Sequence, residues 1–218
     1  MKASNSQKKA VSKSGHFKWS YWRVWLIAAF AVLILVVAAA RMPRFPLDLS
    51  VAQGVQRINS LGYSWAKSLT DTAKPPVAYG LLLVASLIGW RLAGLRAAFL
   101  APTAYAVVLG LDRILKPWIA RPRPSSDLIH VVGAYSGFGC PSTFGLIYAA
   151  TVGTVAWLAL RNSTGRTQGL VAGTSLLVLV LGGSARVVLG GHWPSDLLLS
   201  YLLGGLVVSA LAKPLLGK

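Results

Sequence analysis

Glutamate is missing from the 218-residue chain altogether, and its five acidic residues are all aspartate. Cysteine occurs once, at Cys140, so no internal disulfide can form and the redox compartment stays unread. Charged residues make up 12% of the chain against 55% hydrophobic, whereas a soluble domain carries about a quarter charged. That excludes an ordinary soluble globule and leaves one membrane-embedded domain.

The charge that is present has nearly one sign: 22 Lys and Arg give a formal +17. These residues fall mostly between apolar runs, as membrane topology requires, and form no patch interleaved with exposed aromatics; no nucleic-acid partner is expected. Residues 1–20, with Lys2, Lys8, Lys9, Lys13 and Lys18, predict a disordered cytoplasmic tail, and residues 21–218 a single helical domain. Apolar runs at 22–40, 77–90, 97–111, 143–160, 169–181 and 195–211 predict an all-α integral membrane bundle of six transmembrane helices. Between the first two, Leu49, Val51, Val55, Ile58, Leu61 and Trp65 recur at near-helical spacing among polar residues, predicting an interfacial amphipathic helix within 41–76. With the N-terminus cytoplasmic, the C-terminus and the loops at Arg91 and Arg161 share that side, which then carries no Asp, as the positive-inside rule favours.

The stretch VLGGSARVVLGGHWPSDLLLSY, residues 180–201, sets Arg186, His192 and Asp196 between two apolar runs. Ionisable groups near lipid are costly and mark a pathway or a site. Pro194 suits a first helical turn, which puts Asp196 in that turn, four residues after His192 and within reach of its imidazole. Gly190-Gly191 allows a sharp backbone turn and room for a ligand. An imidazole held by a carboxylate serves as base or nucleophile, and the arginine fork matches phosphate oxygens. A polar pair capping a transmembrane helix is the other reading of the same residues. Six spans bring two more stretches to the same external face. LDRILKPWIARPRPSSD supplies Arg113, Lys116, Arg121 and Arg123, cations that also suit headgroup anchoring. GFGCPSTFG places Ser142 just ahead of a helix, where its hydroxyl and the free N–H groups can meet an anion or simply cap the helix. Too few further His or carboxylate ligands lie nearby for a metal site.

These motifs resemble the type 2 phosphatidic acid phosphatases (PAP2), related to acid phosphatases and vanadium haloperoxidases. Lys116 through Arg123-Pro124 fits the family's K-x6-R-P, and Arg186, His192 and Asp196 fit S-R-x5-H-x3-D, with Ala185 separating Ser184 from Arg186. The resemblance implies that Lys116, Arg123 and Arg186, with Ser142 and Thr143, hold phosphate oxygens. His192 attacks phosphorus to give a phosphohistidine, Asp196 orients it, and water releases phosphate without metal or cofactor. The implied substrate is a lipid phosphate or diphosphate, of the undecaprenyl diphosphate or phosphatidic-acid type, met at the external face of a bacterial inner membrane. The second motif departs from the pattern. The family has P-S-G-H, whereas this chain has Pro141-Ser142-Thr143-Phe144, and Phe144 cannot protonate a leaving oxygen. Three readings follow: a diphosphate substrate whose leaving group needs little protonation, His130 folding in as the acid, or a protein that has lost turnover and binds or transports a phospholipid headgroup. Phosphotransfer to a second lipid would use the same residues.

Overall fold

Long apolar runs can satisfy their backbone in lipid only as helices, and the computed structural model, which describes residues 16–59, 61–162 and 165–217, is helical throughout its regular elements. In chain order these are α1 (His16–Arg41), α2 (Asp48–Arg57), α3 (Ser64–Asp71), α4 (Val77–Ala93), α5 (Leu95–Ala98), α6 (Leu100–Ile119) and α7 (Thr143–Tyr148). A π-helical turn (Ala149–Gly153), α8 (Thr154–Arg161), α9 (Arg166–Val188) and α10 (Pro194–Leu216) complete the chain. Most of the expected tail lies outside the described residues, but His16 to Ser20 already belong to α1, so the helix starts inside the stretch read as disordered.

Among the described residues, five helical segments are long and apolar enough to cross a membrane: Tyr21–Arg41, Leu95–Ile119, Thr143–Arg161, Arg166–Val188 and Pro194–Leu216. The expected sixth, α4, is apolar but has 17 residues, about 25 Å at 1.5 Å per residue against a hydrocarbon core of about 30 Å. Gly94, at φ +86°, ends it. Thr143–Arg161 is the central helix, with 72% of its most apolar window buried, whereas α1 is peripheral at 17%. On α1, Ile27 and Phe30 are 70% and 65% exposed, facing outward where a soluble protein would place polar groups.

Small residues let α10 approach the central helix. A Cβ on Gly204 would lie 2.3 Å from the Ala149 Cβ on the π-helical turn, and one on Gly145 would lie 2.8 Å from the Ser200 Cβ. The interfacial stretch forms two short helices rather than one, broken near Gly62, which takes φ +69°. They fold over the C-terminal end of α9. Ala52 packs with Val187 and Trp193, and Ala66 with Ala185, Val188 and Leu189. The ends of α6 and α9 and the starts of α7 and α10 thus share one end of the bundle, roofed by α2, α3 and the 120–142 loop.

Substituting Gly204→Val should therefore push α10 off the π-helical turn and cost about 1–3 kcal/mol, the usual penalty for overpacking. A lower unfolding midpoint in detergent checks this, and an unchanged one would show that the contact can relax.

Candidate active site

Pro194 opens α10, and the carboxylate of Asp196 turns back on the helix start, its Oδ2 accepting the Trp193 N–H at 3.0 Å. The sequence reading assigns that carboxylate to His192, and in the structure Asp196 lies beside the imidazole but shares it with a backbone carbonyl. His192 Nδ1 lies 2.7 Å from the Gly139 carbonyl and 3.8 Å from Asp196 Oδ2. A carbonyl only accepts, so Nδ1 carries the proton and donates it. Nε2 is the nitrogen left with a lone pair, and it faces Arg123 Nη1 at 3.1 Å. His192 is 2% exposed. Burial, joined by Arg186 and Arg123 against the pull of Asp196, pushes its pKa down to about 4. The imidazole is therefore neutral at neutral pH, in one tautomer, with its reactive nitrogen among cations. The turn before it needs glycine: Gly190 has φ +69°, and a Cβ there would meet the His130 carbonyl oxygen at 2.4 Å.

Arg121, which the sequence offers only as one cation among four, is the hub beneath this imidazole. Its guanidinium is fully buried, with Nη1 2.6 Å from Asp196 Oδ1, Nη2 2.9 Å from Asp48 Oδ2, and Nε donating to the Met42 carbonyl at 3.1 Å. Its own carbonyl accepts the Gly139 N–H at 2.7 Å, so the residue whose carbonyl meets His192 is anchored through its N–H to the residue that holds Asp196. Asp48, at the start of α2, also accepts from the Ser195 backbone N–H at 2.9 Å and from its hydroxyl at 2.7 Å. Gly139 has to be small here, since a Cβ would sit 3.2 Å from Asp196 Oδ2.

Arg123 and Arg186 are held differently. Arg123 donates to carbonyls of Gly191 (2.6 Å), Gly137 (3.2 Å) and Ser136 (3.3 Å). Arg186 is buried at the end of α9 with its Nε unpartnered, its guanidinium over the rings of Tyr135 and Phe144 at 5.3 and 5.9 Å. Among the described residues neither has a carboxylate partner. Two guanidiniums without a carboxylate hydrogen-bond partner thus stand beside a neutral imidazole, an arrangement whose donors suit an anion.

The other expected residues stand around this centre. Lys116 Nζ lies 3.1 Å from Asp112 Oδ1 and 2.5 Å from Thr143 Oγ1, which in turn donates to Asp112 Oδ2 at 2.8 Å. Both phosphate-binding candidates are thus tied to a carboxylate, a pairing the four-residue spacing of Asp112 and Lys116 makes readable. Ser142 is fully buried as the cap of α7, its Oγ accepting the Gly145 N–H at 3.3 Å. His130 is exposed and stacks on Tyr63 at 5.2 Å, bringing its ring to α3's approach rather than to His192. Phe144 is buried against Tyr148 at 4.1 Å. Burial, with Asp196 nearby, pushes the Cys140 thiol up, which removes it as a competing nucleophile. Among the described residues no cluster of three His, Cys, Asp or Glu could hold a metal.

Replacing Arg121 by Leu leaves two buried carboxylates without their counter-charge and should cost about 3–5 kcal/mol of stability, read as loss of folded protein on heating in detergent; an unaltered midpoint would mean that Asp48 and Asp196 are not held as this ion pair. In histidine-labelled protein, the His192 NMR signals should stay those of a neutral Nδ1–H imidazole from pH 8 down to about 5, with protonation centred on about 4. Titration near the ordinary 6.5 would contradict the burial argument.

The chain's likeness to known proteins agrees with this geometry. No curated protein matches it. The crystal structure of the first transmembrane PAP2 type phosphatidylglycerolphosphate phosphatase from Bacillus subtilis superposes with a TM-score of 0.67 at 19% identity, over 87% of this chain and 94% of that one. At that identity the likeness speaks for the fold. Residues 97–214, more than half the sequence and including every residue from Lys116 to Asp196 discussed above, match the PAP2 superfamily. A helical bundle with five apolar membrane-length segments, carrying that match across its buried histidine and arginines, belongs to the PAP2 superfamily of integral membrane proteins.

Proposed function

We propose that the chain is a phosphatase that releases phosphate from phosphorylated lipids through a phosphohistidine at His192. The observation that carries this reading is the state of the imidazole: Nδ1 is bound to Gly139, and the Nε2 lone pair faces Arg123 at 3.1 Å. An incoming phosphate draws Arg123 onto its oxygens and exposes Nε2, while the unpartnered Nε of Arg186 takes a second oxygen. Nε2 attacks phosphorus and the bond to the leaving oxygen breaks. The ring becomes cationic, and Asp196 Oδ2 at 3.8 Å together with the Gly139 carbonyl stabilises it. Water then attacks phosphorus, breaks the P–N bond and returns the imidazole. Ser142, Thr143 and Lys116 bind the outer oxygens once Lys116 lets go of Asp112.

Counting α4 as a short span gives six crossings, with both termini cytoplasmic and the His192 end external, in a bacterial inner membrane. Undecaprenyl diphosphate, phosphatidic acid and phosphatidylglycerolphosphate, the substrate in the name of the Bacillus subtilis protein, are the candidate substrates. A second reading rests on Phe144: with no histidine there, the site would hold a phospholipid headgroup or pass phosphate to another lipid.

Purified protein in detergent should release phosphate from at least one of these three lipids, and His192→Ala should abolish the release, a loss of at least about 10³-fold. Release undiminished in His192→Ala would overturn the nucleophile; silence from both proteins, with lipid still retained, would favour headgroup binding.

A further inference from the structure

An alkoxide leaves phosphorus poorly unless it is protonated as the bond breaks, an effect worth about 10² to 10⁴ in rate. The proton donors around His192 are few. Phe144 has none, and His130 is turned out onto Tyr63. Lys116 is paired with Asp112, Asp196 is held by Arg121, and the Cys140 thiol is wholly buried. Tyr135 remains. Its ring lies beside both unpaired arginines, 5.6 Å from the Arg123 guanidinium carbon and 5.3 Å from that of Arg186. Its hydroxyl-bearing carbon is 3.0 Å from where a Gly191 Cβ would be, with Arg186 Nη2 3.1 Å from the same point, so the phenol end abuts the residue next to His192. The hydroxyl is also poorly engaged. Its contact is the Leu189 carbonyl at 3.5 Å, which already accepts the Val132 N–H at 2.9 Å.

We propose that Tyr135 is the catalytic acid of the site, giving its proton to the leaving oxygen in the place of the side chain that position 144 lacks. The inference rests on the phosphatase reading above. As Nε2 bonds to phosphorus and the P–O bond breaks, the phenolic proton passes to the departing oxygen, and the phenolate forms beside two guanidiniums that stabilise it. Water attacking the phosphohistidine then returns a proton to the phenolate, and the P–N bond breaks. The acid is restored after each turnover. Because an alkoxide needs this proton and a departing phosphate scarcely does, Tyr135 extends the substrate range from lipid diphosphates to phosphomonoesters such as phosphatidic acid.

The test compares wild-type and Tyr135→Phe protein on phosphatidic acid and on undecaprenyl diphosphate. Phenylalanine keeps the ring against Gly191 and both arginines, so folding and phosphate binding are retained. The expected result is a loss of about 10²-fold or more on phosphatidic acid, with the diphosphate rate changed by less than about threefold. An equal loss on both lipids means that the ring merely supports the site and overturns the proposal, as does no loss on phosphatidic acid. A wild-type protein active on the diphosphate and silent on phosphatidic acid overturns it too. Silence of the wild type on both lipids removes the phosphatase reading itself, a different outcome from any of these.

Discussion

A single guanidinium, that of Arg121, ties together the elements around His192. It bridges Asp48 on the roof and Asp196 on α10 at 2.9 and 2.6 Å, while the Arg121 carbonyl holds the N–H of Gly139, the residue whose own carbonyl meets His192. Taking these ions out of water costs several kcal/mol each, and their attraction repays that only with good geometry and added hydrogen bonds. Both conditions are met here, since Ser195, Phe45, Met42 and Trp193 supply the remaining partners. Such a network adds little net stability over a well-packed apolar core. Its effect is register, because α2, the 120–142 loop and the start of α10 can be assembled in only one way that leaves none of the three charges bare.

The scarcity of acids gives the site its sign. Asp48 and Asp196 are committed to Arg121, Asp112 to Lys116, and Asp71 to the exposed Lys74, while Asp127 is exposed. None is left for Arg123 or Arg186. Their charge is balanced only by carbonyls and aromatic faces, which orient a guanidinium without neutralising it. The absence of glutamate thus has a local counterpart: among the described residues, no carboxylate forms an ion pair with either arginine.

Much of this was legible in the chain. The apolar runs located the five membrane-length segments, though those at 97–111 and 169–181 fell short of the helix ends at Ile119 and Val188, where the polar residues of the site begin; the alternation of spans placed Arg123, Arg186 and His192 at one end of the bundle. Spacing alone told only part of the story where one side chain had several claims on it. Asp196 is four residues from His192 and 3.8 Å from its ring, but it is also the third residue of α10, where it caps the Trp193 N–H and pairs with Arg121. Asp48 escaped notice because it stands 147 residues from Ser195 in a segment whose periodicity spoke only of an interface. It also lies before residue 97, where the superfamily match begins. Tyr135 sits in an irregular loop, where no period marks a residue as near or far from anything.

Phe144 is better understood through Arg186 than through what it lacks. A buried guanidinium with no carboxylate needs some favourable surface, and an aromatic face supplies about 0.5–2 kcal/mol of attraction. Phe144, stacked on Tyr148 and fixed between α7 and Gly182 of α9, offers that face beneath Arg186. A histidine there would compete: once protonated it would repel Arg186, and it would draw the arginine Nε or a carbonyl into a hydrogen bond. The phenyl ring holds the cation without occupying its donors, so Nε stays free for an anion. Phe144 thus meets Arg186 from one side, and the 120–142 loop meets the same arginine through the Tyr135 ring, so two aromatic faces hold a cation that no carboxylate pairs with among the described residues.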